Sequence, residues 1–198
     1  MLALIMAGGR GSRLNLGEKP LVSVGGKPMI ARVIEAFRSS GCKVVVVASE
    51  NTPMTRNWCR TMKIDIVLSD GLGYIEDMVA AVTDLEETGP LFVSVSDIPC
   101  VNARIIKKIG TAYENAGKDA CSTWIPVTLA RNPRDSEYVE QVDGVDAYPA
   151  GINILRGDII SRPQEEIRLL LAEKRLAHNI NTRADLRYAD TFFREHGE

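Results

Sequence analysis

The sequence predicts an α/β fold with an open, mostly parallel sheet and helices on both faces, on three observations. Short continuous apolar runs recur through the first half of the chain, segments of helical period separate them, and this alternation continues to about residue 117. Continuous apolar runs suit strands covered on both faces, whereas half-exposed strands alternate apolar and polar residues. Strands that alternate with amphipathic helices predict a parallel sheet of Rossmann-like, layered type.

The elements follow in order. Strands are predicted over 2–6, 43–48 (with consecutive valines at 44–47), 64–68 and 91–95. Ile30, Val33, Ile34 and Phe37 recur at helical spacing, as do Ile75, Met78, Val79 and Val82. Pro28 fits the first turn of the former helix and Gly41 its end. Asn102 is the expected N-cap of a helix carrying Ile105, Ile109 and Tyr113. Beyond residue 120 the pattern loosens. A strand over 121–127, a polar stretch over 131–148, a strand over 151–155 and a helix over about 164–174 are predicted. Thr182, with Asp185 three residues on, reads as the start of a last helix. No internal repeat or linker is evident, so all 198 residues are read as a single domain.

Composition narrows the function. The chain is 45% hydrophobic and 25% charged, as in ordinary globular proteins. A chain this long buries roughly 70% of its unfolded surface and needs no covalent staple. The net charge of −2 argues against a nucleic acid as the main partner, so a phosphate-bearing ligand must meet a local cluster of cations. Cys42, Cys59, Cys100 and Cys121 are scattered, which is neither a zinc pattern nor a disulfide framework. No membrane-spanning apolar run or signal-peptide pattern is seen, and a cytoplasmic enzyme is expected.

The chemistry begins where the first strand ends, at Met6-Ala7-Gly8-Gly9-Arg10-Gly11-Ser12-Arg13. Glycines let a phosphate approach backbone amides closely, and Arg10, Arg13 and Lys19 supply three cations beside them. A dinucleotide fingerprint does not fit, since Leu14 stands where the third glycine belongs and the next helix begins only near Pro28. A P-loop does not fit either, because Gly26-Lys27 and Gly117-Lys118 are followed by Pro28 and Asp119.

The string from Leu4 through Arg13, Glu18-Lys19-Pro20 and Gly25-Gly26-Lys27-Pro28-Met29-Ile30 closely resembles the signature of the MobA-like nucleotidyltransferases. These act on sugar phosphates and on molybdenum-cofactor and cobamide precursors. The resemblance implies the nucleotide-diphospho-sugar transferase (GT-A-like) form of the fold. It also implies a nucleotide site of Ala7, Gly8, Gly9, Arg10 and Gly11, with Arg13 and Lys19 on the phosphates. Gly71 and Gly73 match a turn beside the base, although they also suit a glycine-lined entry to the next helix.

Asp97 follows the strand over 91–95, at the strand end where ligands bind in open α/β sheets. A carboxylate there either caps the next turn or holds Mg²⁺, which takes one or two protein oxygens together with phosphate and water. The resemblance implies the metal role for Asp97 and, through the Asn179-Ile180-Asn181-Thr182 segment, for Asn181. It thereby implies catalytic roles for Arg13, Lys19 and Asp97.

Two shorter strings, Asp70-Gly71-Leu72-Gly73-Tyr74-Ile75-Glu76-Asp77 and Pro149-Ala150-Gly151-Ile152-Asn153-Ile154, resemble the archaeal GTP:adenosylcobinamide-phosphate guanylyltransferases. This implies GTP and adenosylcobinamide phosphate as substrates, a nucleotide-binding half over about 1–117 and an acceptor-side half over about 118–198. Glu76, Asp77, Gly151 and Asn153 match the acceptor side. First-turn acids and a tight turn before a strand account for the same four residues without a ligand. Molybdopterin, phospholactate and sugar phosphates stand as alternative acceptors, and a non-catalytic nucleotide-binding regulator as an alternative class. With no P-loop, transfer to an already phosphorylated acceptor is expected, without kinase activity.

Overall fold

In a computed structural model, which describes residues 1–9, 11, 14, 16–129 and 138–196, the chain runs as follows. Strand β1 (Leu2–Met6) leads through the glycine-rich loop to a 3₁₀ turn (Lys19–Leu21) and the small hairpin β2 (Ser23–Val24) and β3 (Lys27–Pro28). Then come α1 (Met29–Ser39), β4 (Lys43–Ser49), α2 (Pro53–Thr61), β5 (Asp65–Ser69), α3 (Tyr74–Asp84), β6 (Pro90–Val95) and α4 (Ala103–Ala116). The remainder forms β7 (Ala120–Pro126), β8 (Glu140–Val142), β9 (Val145–Arg156), β10 (Glu166–Leu170) and α5 (Arg183–His196).

The main sheet has the order β10-β7-β9-β6-β1-β4-β5, with β8 paired to β9. β1 lies between β4 and β6 and is parallel to both, Leu4 facing Val45 on one side and Val93 on the other. β5 continues the parallel set, and β9 runs antiparallel between β6 and β7. The chain steps outward from β1 to β4 and β5, then returns to β6 on the far side of β1. That reversal opens a crevice above the carboxyl ends of the strands.

Helices cover both faces. Ile5, Val44 and Val46 pack with Ile30, Val33 and Phe37 of α1 and Ile105 and Ile109 of α4. Leu4, Val45, Val47 and Val93 face the other way, onto Met78, Ala81 and Val82 of α3. The valines of β4 thus divide between two cores, which is why the strand reads as an unbroken apolar run. A smaller cluster joins the two ends of the chain: Leu14, Val22, Val24 and Met29 pack with Ile180, Ala189 and Phe193. Among the described residues no helix is long and apolar enough to cross a membrane.

Local signals act as read at several places. Asn102 accepts a hydrogen bond from the Ile105 amide at 3.1 Å, and α4 ends on left-handed Gly117. Elsewhere the structure corrects the expectation. The helix expected over 164–174 is strand β10, parallel to β7. Ile167 and Leu169 pack toward one core and Leu170 toward another, so pairing with a buried strand overrides the helical propensity of the Glu-Ile-Arg-Leu-Leu run. α2 has no counterpart among the predicted elements: it is polar and buries only Thr55 and Cys59. Ile75 is 65% exposed, because the buried face of α3 runs through Asp77, Met78, Ala81 and Val82. β9 is longer than expected and takes in residues 145–150.

Phe37 is fully buried and meets Phe92 edge-to-face at 5.5 Å between ring centroids. Phe37→Ala is expected to lower unfolding free energy by about 3–5 kcal/mol, read from urea denaturation. A loss below about 1 kcal/mol would mean that α1 does not anchor on the sheet through this ring.

Candidate functional site

A cleft of about 430 Å³ opens above the carboxyl ends of β1, β4, β5 and β6. Its walls are the glycine loop (Ala7, Gly8, Gly9, Gly11), Lys19, Asn51, the Gly71–Gly73 turn with Tyr74 and Asp77, and Val95 to Asp97. This is the crevice that the strand order creates.

The glycine loop is pinned to its neighbours through the backbone. The Ala7 amide donates to the Val47 carbonyl at 2.8 Å, extending the β1–β4 ladder by one step. The Ser49 hydroxyl donates to the Gly8 carbonyl at 2.7 Å. Gly11 has φ of +56°, and a Cβ built there would stand 2.5 Å from Lys19 Cβ. Only glycine permits both the left-handed turn and the close approach of Lys19.

Lys19 begins the 3₁₀ turn and reaches across the cleft. Its ammonium forms an ion pair with Asp97, at the end of β6, and donates to Asn181 Oδ1 at 2.8 Å. The side chains of Lys19 and Asp97 are 15% and 17% exposed, so the pair is largely shielded from water. Asn181 is held by its own surroundings. Its amide nitrogen Nδ2 donates to Asn179 Oδ1 at 3.1 Å, and its backbone N–H donates to Asp185 Oδ2 at 3.1 Å. The Ile180 N–H donates to the Asp97 carbonyl at 2.9 Å, which ties this segment to β6 directly. Thr182 and Asp185 exchange reciprocal hydrogen bonds at the start of α5, so capping and convergence on the cleft coexist in one segment.

The second oxygen of Asp97, Oδ1, is buried and has no hydrogen-bond partner among the described residues. An unpaired buried carboxylate oxygen is costly unless something binds it. With the Asn181 carbonyl oxygen nearby, it matches what Mg²⁺ asks of a protein: one or two hard oxygens, with the other positions left to phosphate and water. Among the described residues no cluster of three or more His, Cys, Asp or Glu side chains offers a closed metal site.

Glu18, which the sequence reading did not single out, secures the other side of the Lys19 turn. Its carboxylate accepts from the Met54 and Thr55 amides at 2.7 and 2.6 Å and from the Thr55 hydroxyl at 2.6 Å, at the start of α2. Those amides are donors without intrahelical partners, and an anion there also meets the positive end of the helix dipole. Nothing in the spacing of the sequence links residue 18 to residue 54.

The other expected residues are placed as follows. Gly71 has φ of +72° and faces Asn51 and Ser49; Gly73 abuts the Glu76 carboxylate. Asp77 is buried, and its Oδ1 accepts from the Gly71 and Leu72 amides at 3.0 and 3.2 Å, so it shapes the turn from beneath. Glu76 is exposed. Gly151 has φ of +76° and presses against Val95, with room there for no Cβ, while Asn153 pairs with Val93 one side-chain repeat further from Asp97. Arg10 and Arg13 lie outside the described residues.

Burial pushes the Cys59 and Cys121 thiols up to about 11, and neither lines the cleft. Tyr74 has 43% of its surface exposed, and its phenol side chain belongs to a residue of the cleft lining. Desolvation there, and then the Asp97 carboxylate, push it up to about 12.

A glycine loop, a shielded lysine and a strand-end aspartate at the switch point of a parallel sheet define a nucleotide-binding α/β protein. The chain belongs to the MobA-like NTP transferase domain family, whose model matches residues 3–196. It is 30% identical, over the full length of both chains, to the adenosylcobinamide-phosphate guanylyltransferase of Methanocaldococcus jannaschii. It is 27% identical to the molybdenum cofactor guanylyltransferase of Shewanella amazonensis over 59% of each chain. Among solved structures, a CMP:2-keto-3-deoxy-manno-octonic acid synthetase complexed with CTP superposes with a TM-score of 0.72 over 98% of both chains at 13% identity, a likeness of fold.

Glu18→Ala removes the cap of α2 and the outer anchor of Lys19. It is expected to cost about 0.5–2 kcal/mol in urea denaturation, the range for loss of a helix cap, and to weaken nucleotide binding in calorimetry. Unchanged nucleotide affinity would show that Lys19 does not depend on this anchor.

Proposed function

We propose that the protein transfers GMP from GTP to adenosylcobinamide phosphate, releasing pyrophosphate and forming adenosylcobinamide-GDP in cobamide biosynthesis. The observation that carries the reaction type is the meeting of Lys19, Asp97 and Asn181 opposite the glycine loop. The full-length likeness to a relative named for this activity supports the acceptor; molybdenum-cofactor guanylyltransferases are matched over 59% to 71% of this chain, at 22% to 27% identity.

In this reading a phosphate oxygen of the acceptor attacks the α-phosphorus of GTP. The bond from that phosphorus to the oxygen bridging to the β-phosphorus breaks, and pyrophosphate leaves with the electron pair. A diphosphate linkage forms between acceptor and GMP. The attacking oxygen is already anionic, so no general base is needed, and among the described residues lining the cleft there is no histidine. The protein positions the two phosphates and neutralises charge.

The amides of Gly8, Gly9 and Gly11 orient the triphosphate, and Ala7 holds the loop to β4. Lys19, and by resemblance Arg10 and Arg13, offset the charge that grows on pyrophosphate. Gly71 and Gly73 form the wall beside the base, and Asp77 acts on that wall by fixing the Gly71–Leu72 turn. Gly151, by letting β9 close on Val95, and Asn153 and Glu76 border the acceptor side. Asp97 and Asn181 would hold magnesium, which when bound neutralises phosphate charge.

The test is pyrophosphate release by purified protein with magnesium and GTP, with and without adenosylcobinamide phosphate. Release that requires this acceptor and fails with ATP, CTP or UTP is expected. Release with molybdopterin, phospholactate or a sugar phosphate instead would reassign the acceptor, and phosphorylation of free adenosylcobinamide would overturn the expectation that the protein transfers the nucleotide only. Lys19→Ala is expected to lower kcat by roughly 10²–10³, the effect of losing one transition-state donor; near-normal turnover would remove Lys19 from the site. Asp97→Asn is expected to raise the magnesium concentration needed for half-maximal rate, and an unchanged titration would count against Asp97 as a ligand.

A further inference from the structure

The Gly25-Gly26 pair belongs to the string that resembles the nucleotidyltransferase signature, yet it lies outside the lining of the cleft. It forms the two-residue tip of the β2–β3 hairpin, with φ of +56° and +80°. Positive φ at both central positions is the type I′ turn, which glycine favours. The N–H and C=O of the first tip residue take no part in such a ladder and have to find partners elsewhere.

Both find them in side chains from distant helices. Asp190 Oδ1, on α5, accepts from the Gly25 N–H at 2.7 Å. Arg32, on α1, donates from Nη2 to the Gly25 carbonyl at 2.6 Å and from Nε to the Val24 carbonyl at 2.7 Å. Its guanidinium also lies over the Phe193 ring of α5, 3.7 Å from the centroid, so α1, the hairpin and α5 close on one another. The fit leaves no space at the tip: a Cβ on Gly25 would stand 2.5 Å from Arg32 Nη2 and 2.8 Å from Phe193 Cβ.

This clamp bears on the cleft through what its two sides carry. The hairpin follows directly on the Lys19 turn, whose closing bond runs from the Val22 N–H to the Lys19 carbonyl at 3.2 Å, one residue before β2. α5 follows closely on Asn181, and Asp190 stands about two turns into it. α5 packs chiefly on β2 and not on the main sheet, so the hairpin sets its position. His178, against Tyr188 and Phe192, ties α5 only to the stretch of chain that leads into it. Lys19, the hairpin, Asp190, α5 and Asn181 thus form a ring, which closes at the 2.8 Å hydrogen bond from the Lys19 ammonium to Asn181 Oδ1. Opened at Asp190, the ring would leave Asn181 to the Ile180–Asp97 backbone bond and to apolar packing, which has no direction.

We infer that Asp190 is a positioning residue: with Arg32 it holds the tip of the β2–β3 hairpin and so seats α5 where the Asn181 side chain meets Lys19 beside Asp97. The task of Gly25 is then to receive the helix, since only a tip without a Cβ lets Arg32 and Phe193 approach. The consequence for turnover rests on the guanylyl-transfer reading of the site; the clamp itself does not.

The test compares Asp190→Ala, which removes the acceptor, with Asp190→Asn, which keeps Oδ1 as an acceptor without the charge. In the ligand-free protein, amide hydrogen exchange is followed at Ile180 and Asn181, whose N–H groups bond to Asp97 and Asp185. Exchange there is expected to quicken roughly 2- to 10-fold in Asp190→Ala, as for loss of one hydrogen bond, and to keep the wild-type rate in Asp190→Asn. With GTP and adenosylcobinamide phosphate, kcat is expected to fall roughly 10- to 100-fold in Asp190→Ala, the scale of a small misplacement made away from the chemistry, and to stay near wild type in Asp190→Asn. Asn181→Ala and a variant carrying both alanines are expected to share one kcat, because Asp190 acts through Asn181. Arg32→Lys, which keeps the charge and loses the two-carbonyl fork, opens the clamp a second way if Asp190→Ala does not fold, and the same pattern is expected of it. Additive losses of kcat would overturn the positioning role, since a merely structural contact adds its effect to that of Asn181. Unchanged exchange and turnover in Asp190→Ala, or an equal loss in Asp190→Asn, would overturn it as well. A wild-type protein that does not turn over this acceptor would overturn the guanylyl-transfer reading, and the exchange rates would then decide the clamp by themselves.

Discussion

The ammonium of Lys19, set between Asp97 and Asn181, is the interaction on which the rest of the site depends. It gathers three segments separated by 78 and 162 positions in sequence. An ion pair this shielded has a desolvation cost that offsets much of its attraction, so its value is not chiefly in stability. Removing one partner leaves a buried charge uncompensated, and this fixes where the three segments must meet. The Ile180–Asp97 backbone bond and the apolar cluster of Leu14, Val24, Met29, Ile180 and Phe193 hold the same meeting point from below.

Several smaller constraints follow from that junction. Gly11 is required because Lys19 passes within 2.5 Å of where its Cβ would be. Glu18 is required because a lysine drawn inward needs the preceding residue anchored outward, and the free amides of α2 supply the anchor. Asp77 performs the matching task on the far wall, holding the Gly71–Leu72 turn open. Two carboxylates around the cleft, Glu18 and Asp77, are thus taken up by backbone amides, while Asp97 keeps one oxygen unpaired. A site built to receive a polyanion has to hide its own anions in this way.

The parallel core was legible in the sequence because strands buried on two faces must be apolar throughout, as Val44 to Val47 are. The caps at Asn102 and at Thr182 with Asp185 were legible because capping is local chemistry over three residues. Strand β10 was not: its composition favours a helix, and only pairing with β7 decides otherwise. Helix α2 escaped notice because Thr55 and Cys59 are too few to leave an apolar stripe. Ile75 has the right spacing for a buried position, but the helix turns its buried face toward Asp77. In the cleft, Lys19, Asp97 and Asn181 each stood out through motif and strand position. That Lys19 touches the other two and that Glu18 anchors the turn it begins are facts of tertiary contact between distant segments.

A double-mutant cycle on Lys19 and Asp97 in the ligand-free protein tests the central role of this junction most directly. Unfolding free energies of Lys19→Met, Asp97→Asn and the double variant would be taken from urea denaturation. The predicted result is non-additivity of roughly 0.5–3 kcal/mol, with the double variant more stable than the sum of the single losses implies. Strict additivity would contradict the account, since the two side chains would then not hold each other at the centre of the cleft.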